Sequence, residues 1–212
     1  MRLLRRKLAN LGEYLHPAHL QGLVRGDSRE QLRAVRRSRR AQPPTHQLKQ
    51  EVVREYARRF NSRILIETGT YRGDMVFAML TDFTSIHTIE LSPQLTKDAQ
   101  ARFSGQAHVS VHEGDSATVL PRLLAGIHEP CLFWLDGHSS GGVTAKGGVN
   151  TPILAELETI LRHSVANHVI LIDDAREFHH GKHYPSLKRV QLAMSSRYKN
   201  FRVENDIVRI TV

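Results

Sequence analysis

Cysteine is nearly absent from this 212-residue sequence: Cys131 stands alone. One cysteine excludes an intramolecular disulfide and any multi-cysteine zinc site. Long apolar runs are missing too. No stretch approaches the ~18 residues that a membrane-spanning helix needs. The basic N-terminus also lacks the apolar core of a secretory signal. These absences make the cytoplasm the expected setting. Aromatic residues are sparse, at 6% with a single Trp. The run Arg36-Arg37-Ser38-Arg39-Arg40 has none interleaved for base stacking.

Acidic residues are scarce only at one end. The net charge is +9, yet residues 1–40 hold eleven basic and three acidic side chains, a balance of +8. The remainder carries +1 and is nearly neutral. The high pI therefore describes one segment, and a nucleic-acid partner for the whole chain does not follow from it. Residues 1–16 place Leu3, Leu4, Leu8, Leu11 and Leu15 at helical spacing between arginines. Residues 28–40 read as a second, very polar helix. Pro43-Pro44 is the break between two units. Residues 1–44 are predicted to be a basic helical extension, and residues 45–212 the main domain. The extension either lies on an anionic membrane surface or packs on the main domain or a second subunit.

From residue 63 short apolar runs alternate with helical segments. The runs are RILIE (63–67), HTIEL (87–91), VSVHEG (109–114), CLFWLD (131–136) and HVILID (168–173). Helices are predicted near 73–81, 94–103, 116–125, 151–163 and 185–197, after an amphipathic helix over 46–60. Its apolar stripe is Leu48, Val52, Val53, Tyr56 and Phe60. Apolar strands alternating with helices predict an α/β, doubly wound, mostly parallel sheet covered on both faces. FRVEN and DIVRITV, joined at Asn205-Asp206, add an antiparallel hairpin and bring the strands to seven. Trp134 and Cys131 are expected in the core.

Ligands of such sheets bind outside the carboxyl ends of the strands. Those ends carry Glu67-Thr68-Gly69, Glu90, Asp115-Ser116, Asp136-Gly137-His138 and Asp173-Asp174. Any one of these acids could be a helix N-cap; five together call for a cationic ligand or a metal. The first turn, Glu67-Thr68-Gly69-Thr70-Tyr71-Arg72-Gly73, has Tyr71 where a dinucleotide fingerprint needs glycine. No Gly-Lys-Ser/Thr run suggests a P-loop. Glu90, 21 residues after Gly69, is spaced to meet the paired hydroxyls of a ribose. Asp115 and Ser116 are placed to meet an adenine edge.

The motifs ETGTYRG, TIELS, EGDS, WLDGH and LIDDAR, in that order, resemble the class I S-adenosylmethionine (SAM)-dependent methyltransferases over residues 46–212. The resemblance implies a Rossmann-like fold, with SAM as cofactor. It implies that Glu67, Thr68, Gly69, Thr70, Tyr71 and Gly73 hold the methionine part. Glu90 would hold the ribose, and Asp115 and Ser116 the adenine, with Asp136 beside the methyl group. Asp136, Asp173 and Asp174 are further similar to the ligand set of the divalent-metal O-methyltransferases of the catechol and caffeoyl-CoA kind. Three like charges need a cation, and oxygen ligands suit a hard ion such as Mg²⁺. That family has Asn where Asp174 stands here, and a lysine where Ser139 stands.

His138 is the first candidate for the general base and Lys146 the second. The glycine-rich stretch 137–150 reads as a lid over the substrate. His179, His180 and His183 read as the rim of the substrate mouth or as exposed surface, in preference to a metal site. Arg176 is expected to pair with an acidic side chain or a substrate anion. The function expected is metal-assisted O-methylation of a small hydroxylated acceptor, a sugar or an aromatic. The alternatives are an RNA methyltransferase that uses the basic segment and a non-catalytic module of the same fold. Specificity is expected in residues 1–45, 137–150 and 175–187.

Overall fold

A computed structural model describes residues 43–137, 151–178 and 184–212. The elements are α1 (His46–Arg59), β1 (Ile64–Thr68), α2 (Asp74–Met79), β2 (Ser85–Glu90), α3 (Pro93–Arg102), β3 (Val109–Glu113), α4 (Ser116–Leu124), β4 (Cys131–Leu135), α5 (Ile153–Arg162), β5 (Val169–Ile172), α6 (Leu187–Met194), β6 (Asn200–Glu204) and β7 (Ile207–Thr211). A short 3₁₀ turn spans Ala175–Glu177. Helix starts follow local chemistry. Thr45, Ser92, Asp115 and Ser186 each accept a backbone N–H at the first turn of α1, α3, α4 and α6. Pro93 sits at the start of α3, where its missing N–H is harmless.

The seven strands form one sheet in the order β3-β2-β1-β4-β5-β7-β6. The five expected parallel strands are in place, and β7 alone is antiparallel to its neighbours. The hairpin does more than extend the edge: β7 pairs with both β5 and β6. Its turn uses Asn205 and Asp206, both left-handed, at φ 51° and 61°. β6 therefore runs with β1–β5, and the turn returns to their carboxyl edge.

Alternation along each strand divides the core into two layers. Ile64, Ile66, Phe133, Leu135, Ile170 and Ile172 join the α4, α5 and α6 side. Leu65, Leu132, Trp134, Val169 and Leu171 join the side of α1, α2 and α3. Trp134 and Cys131 are buried, as expected, and burial pushes the Cys131 thiol up to about 12. Strand positions match the sequence expectation to within two residues. β2 starts at Ser85 because Arg63 O accepts the Thr84 and Ser85 N–H groups, so pairing begins earlier than the apolar run.

At the amino edge of the sheet an imidazole pair, buried at His168 and half-buried at His163, ties loops together. The Cys131 N–H donates to His168 Nδ1 at 3.0 Å, so the His168 proton sits on Nε2. Nε2 lies 2.9 Å from His163 Nδ1, and His163 Nε2 lies 3.1 Å from the Ile127 carbonyl. Arg197 donates to the carbonyls of Leu161, His163 and Val165. Burial, with help from His163 and Arg197, pushes His168 down to about 4 from 6.5. Between these values the unfolded chain binds a proton that the folded protein refuses. Stability is thus lost as pH falls from 6.5 toward 4, by at most about 1.4 kcal/mol per pH unit. In thermal melts, His168→Asn keeps an acceptor but cannot titrate. The stability advantage of wild type over this variant is expected to narrow on acidification through that window, and a constant gap would refute the assignment.

Candidate active site

The order of the sheet reverses between β1 and β4, and this opens a crevice at their carboxyl ends. The ladder runs one bond past the strands there. Gly69 N–H donates to Ile89 O, Asp136 N–H to Thr68 O, Asp173 N–H to Leu135 O and Gly114 N–H to Glu90 O, at 2.8–3.0 Å. The four loops that carry the acidic residues are therefore pinned by backbone.

Gly69 has φ +87°, and a Cβ there would come within 2.6 Å of the Asp136 carbonyl oxygen. Only glycine fits. Gly73 is also left-handed, and a Cβ would strike the Phe103 ring. Tyr71, where a dinucleotide fingerprint has glycine, adopts φ +49° regardless. Glu90 supports it by accepting the Tyr71 N–H at 2.8 Å. The Tyr71 ring stays 60% exposed, over the open face of the turn.

Below the turn, Glu67 is sealed. It accepts from Thr88 Oγ at 2.6 Å, and Thr88 in turn pairs with Thr70. Burial pushes its carboxyl up to about 8, against the Thr88 hydrogen bond; Asp136 and Glu90 push the same way. Glu90 accepts from Tyr71 N–H and, at 2.9 Å, from Ser92 N–H. Each of its oxygens keeps another lone pair for a ligand. Asp115 is exposed and caps α4 through the Ala117 N–H at 3.0 Å. Ser116 is buried against Glu156 instead of facing the open crevice.

Asp136, Asp173 and Asp174 follow the ends of the adjacent strands β4 and β5. Their surroundings do not match the expected Mg²⁺ site. Lys49 of α1 places its Nζ on Asp173 Oδ2 and 3.9 Å from Asp174 Oδ1. Asp173 Oδ1 accepts the Asp174 N–H at 2.8 Å. Arg176 Nη1 lies 2.9 Å from Asp174 Oδ1 and also pairs with Asp206, in the hairpin turn. Both Asp173 oxygens thus have donors, and two cationic side chains already pair within the cluster. Among the described residues no group of three or more His, Cys, Asp or Glu is arranged to hold a metal ion. The expected Mg²⁺ ligands Asp136, Asp173 and Asp174 thus have an ammonium, that of Lys49, on Asp173. Burial pushes Asp173 up, reinforced by Asp136 and Asp174 and opposed by Lys49. Burial would lower Lys49, but Asp173, Asp136 and Asp174 raise it above the ordinary lysine value.

Sequence reasoning missed Lys49, Glu156, Tyr184 and Asp206. Lys49 and Glu156 had a usable signal. Lys49 precedes Val52, Val53 and Tyr56 at helical spacing, on the stripe that is buried. Glu156 lies between Ile153, Leu157 and Ile160 on the buried stripe of α5. It is 1% exposed, and burial pushes its carboxyl up to about 7 against the Ser116 and Thr68 hydroxyls, with Asp115 adding to the rise. Burial, with Asp174 among the other contributors, pushes Tyr184 up to about 12. His138, Lys146, the lid 137–150 apart from Gly137, and His179, His180 and His183 lie outside the described residues, as do residues 1–42.

No protein-family profile matches this sequence, and no relative is found among curated proteins. Solved structures do match. An O-methyltransferase from Bacillus cereus in complex with SAH aligns over 91% of this chain and 94% of its own, at 15% identity and TM-score 0.59. The O-methyltransferase TomG from Streptomyces achromogenes, involved in tomaymycin synthesis and bound to SAM, aligns over 91% and 92%, at 16% and 0.61. The SAH-bound methyltransferase PaMTH1 from Podospora anserina aligns over 99% and 95%, at 19% and 0.56. At such identities the likeness is one of fold. The chain has the Rossmann-like fold of the class I methyltransferases.

Glu67 supplies a prediction. Its folded-state value near 8 lies above the ordinary 4.5. In that interval the folded protein holds a proton that the unfolded chain has released. Its contribution to stability is therefore full below 4.5 and lost as pH rises toward 8. In melts without cofactor, Glu67→Gln should gain on wild type as pH rises through this interval. A flat difference would show that Glu67 ionises freely.

Proposed function

We propose that this chain is a SAM-dependent methyltransferase acting on a hydroxyl oxygen of a small acceptor, a sugar or an aromatic. The observation that carries the reading is the crevice itself. The Gly69 turn, packed on the backbone at the end of β4, lies beside a buried carboxyl, Glu67, whose ionisation a nearby cation would favour. A sulfonium cofactor with an α-ammonium group has that charge, and it supplies an electrophilic methyl group when bound.

The remaining roles belong to residues of this chain. Glu90, fixed by two backbone N–H groups, would accept from the ribose hydroxyls with its other lone pairs. Asp115, exposed at the head of α4, would accept from the adenine amino group. Asp136, next to the Gly69 backbone, would border the methyl-transfer position. The bond between the methyl carbon and sulfur would break as the acceptor oxygen bonds to that carbon, leaving a neutral thioether; we assign the proton the hydroxyl loses to His138, with Lys146 second. No step is assigned to Mg²⁺, because the donor set around Asp173 and Asp174 does not fit it.

Calorimetric titration with SAM and with SAH tests the reading. Wild type is expected to bind both in the micromolar range, and Glu90→Ala to bind at least about tenfold more weakly, or 1.4 kcal/mol. Absence of binding by folded wild type would overturn the reading.

The +8 segment over residues 1–40 supports a separate attachment role. We propose that residues 1–44 bind an anionic membrane surface or a second subunit. No helix of the described residues is long and apolar enough to cross a membrane. Full-length protein should co-sediment with anionic vesicles and residues 43–212 should not; dimerisation without vesicles would select the second option.

A further inference from the structure

We propose that Lys49 is the resident cation of this site, an ammonium built into the place that a divalent metal would otherwise take. The inference rests on the methyltransferase reading for its chemistry, but not for its geometry.

Three observations lead to it. First, Lys49 is drawn into the crevice from outside the strand-end loops. It comes from the first turn of α1 and pairs with Asp173, 124 residues away. Its side chain is 13% exposed and that of Asp173 only 1%, so the pair is desolvated. Second, α1 is fixed against the sheet by Val52, Val53, Tyr56 and Ala57, all buried. A helix so anchored holds its first turn over the β5 end without needing a ligand. Third, two cationic side chains already stand among these acids. Lys49 and Arg176 face Asp136, Asp173 and Asp174, with Asp206 sharing Arg176. A divalent ion would have to displace the ammonium from Asp173 Oδ2 and then share the space with it.

An ammonium differs from Mg²⁺ in what it can bind. Mg²⁺ requires near-octahedral oxygen coordination and can chelate two vicinal oxygens. The Lys49 ammonium has three N–H donors. Asp173 takes one, and Asp174 at 3.9 Å is too far for a full hydrogen bond. The two others diverge, and each can donate to a separate oxygen. Lys49 is thus a positioning and charge-stabilising residue for the acceptor oxygen. It would hold that oxygen by hydrogen bonding, without the chelation that a divalent ion supplies.

The test is binding of Mn²⁺ to the full-length protein, followed by loss of its free-ion paramagnetic resonance signal. SAH calorimetry on the same samples is the control. Wild type is expected to show no stoichiometric Mn²⁺ site below about 1 mM, the weak end for oxygen-ligand sites. Lys49→Ala should gain one site, at least about tenfold tighter. Lys49→Arg, which keeps the charge, should gain none, and Asp173→Asn in the Lys49→Ala background should remove the gain. Tight stoichiometric binding of Mn²⁺ to wild type overturns the proposal without needing any variant. Folded Lys49→Ala that gains no site overturns it as well. Loss of SAH binding by wild type would instead strike the methyltransferase reading and leave the Mn²⁺ results to decide the cation.

Discussion

The backbone of Gly69 lies so close to the Asp136 carbonyl that no side chain can stand between them. Most of the crevice depends on that contact. It brings the turn after β1 onto the end of β4, at the point where the strand order reverses. Hydrogen bonds one step beyond each strand then hold Asp136 and Asp173 level with the turn. Glu90 reaches across to the Tyr71 amide and stabilises a left-handed tyrosine. The acidic residues are consequently positioned by main chain and do not rely on loops that must order around a ligand.

So much negative charge needs an answer. Two unit charges 4 Å apart interact by about 4 kcal/mol at an effective dielectric constant near 20. Three converging aspartates would therefore oppose folding if left alone. The chain gives two different answers at two depths. Near the turn, Glu67 is buried and its ionisation is suppressed. Near β5, Asp173 and Asp174 are met by Lys49 and Arg176. Buried pairs add little net stability, but removing one partner costs about 3–5 kcal/mol because a charge is stranded. The pairs therefore act mainly by fixing which geometry the loops adopt.

The fold was readable because the five strands are apolar runs bounded by glycine, acids or polar turns. Their ends shifted by at most two residues, where backbone pairing extends beyond the apolar side chains, as at Ser85. The acidic ends were readable for the same reason: a strand's end fixes which residue faces the crevice. What the acids contact was not readable. Asp115 and Ser116 look equivalent in sequence, yet one caps a helix in solvent and the other is buried against Glu156. Three carboxylates in register suggested a metal, because the compensating charges lie elsewhere in the chain. Lys49 is 124 residues from Asp173 and Arg176 is 30 from Asp206. Lys49 and Glu156 stood on apolar stripes, where a charged residue signals a buried partner. Spacing marks such a residue but does not name its partner.

The length of that separation bears on how the protein assembles. Lys49 sits on the first described helix, while Asp173 closes the last parallel strand of the run β1–β5. No local segment can satisfy either charge. Contacts between such distant residues form late, because a long loop must close before they are made. Asp206 adds a second delay, since it reaches Arg176 only after β7 has docked beside β5. The crevice edge therefore reaches its final electrostatic state only once α1 and the hairpin have both docked. A nascent chain with its first four strands formed would carry the glycine turn but not yet the ion pairs of the finished site.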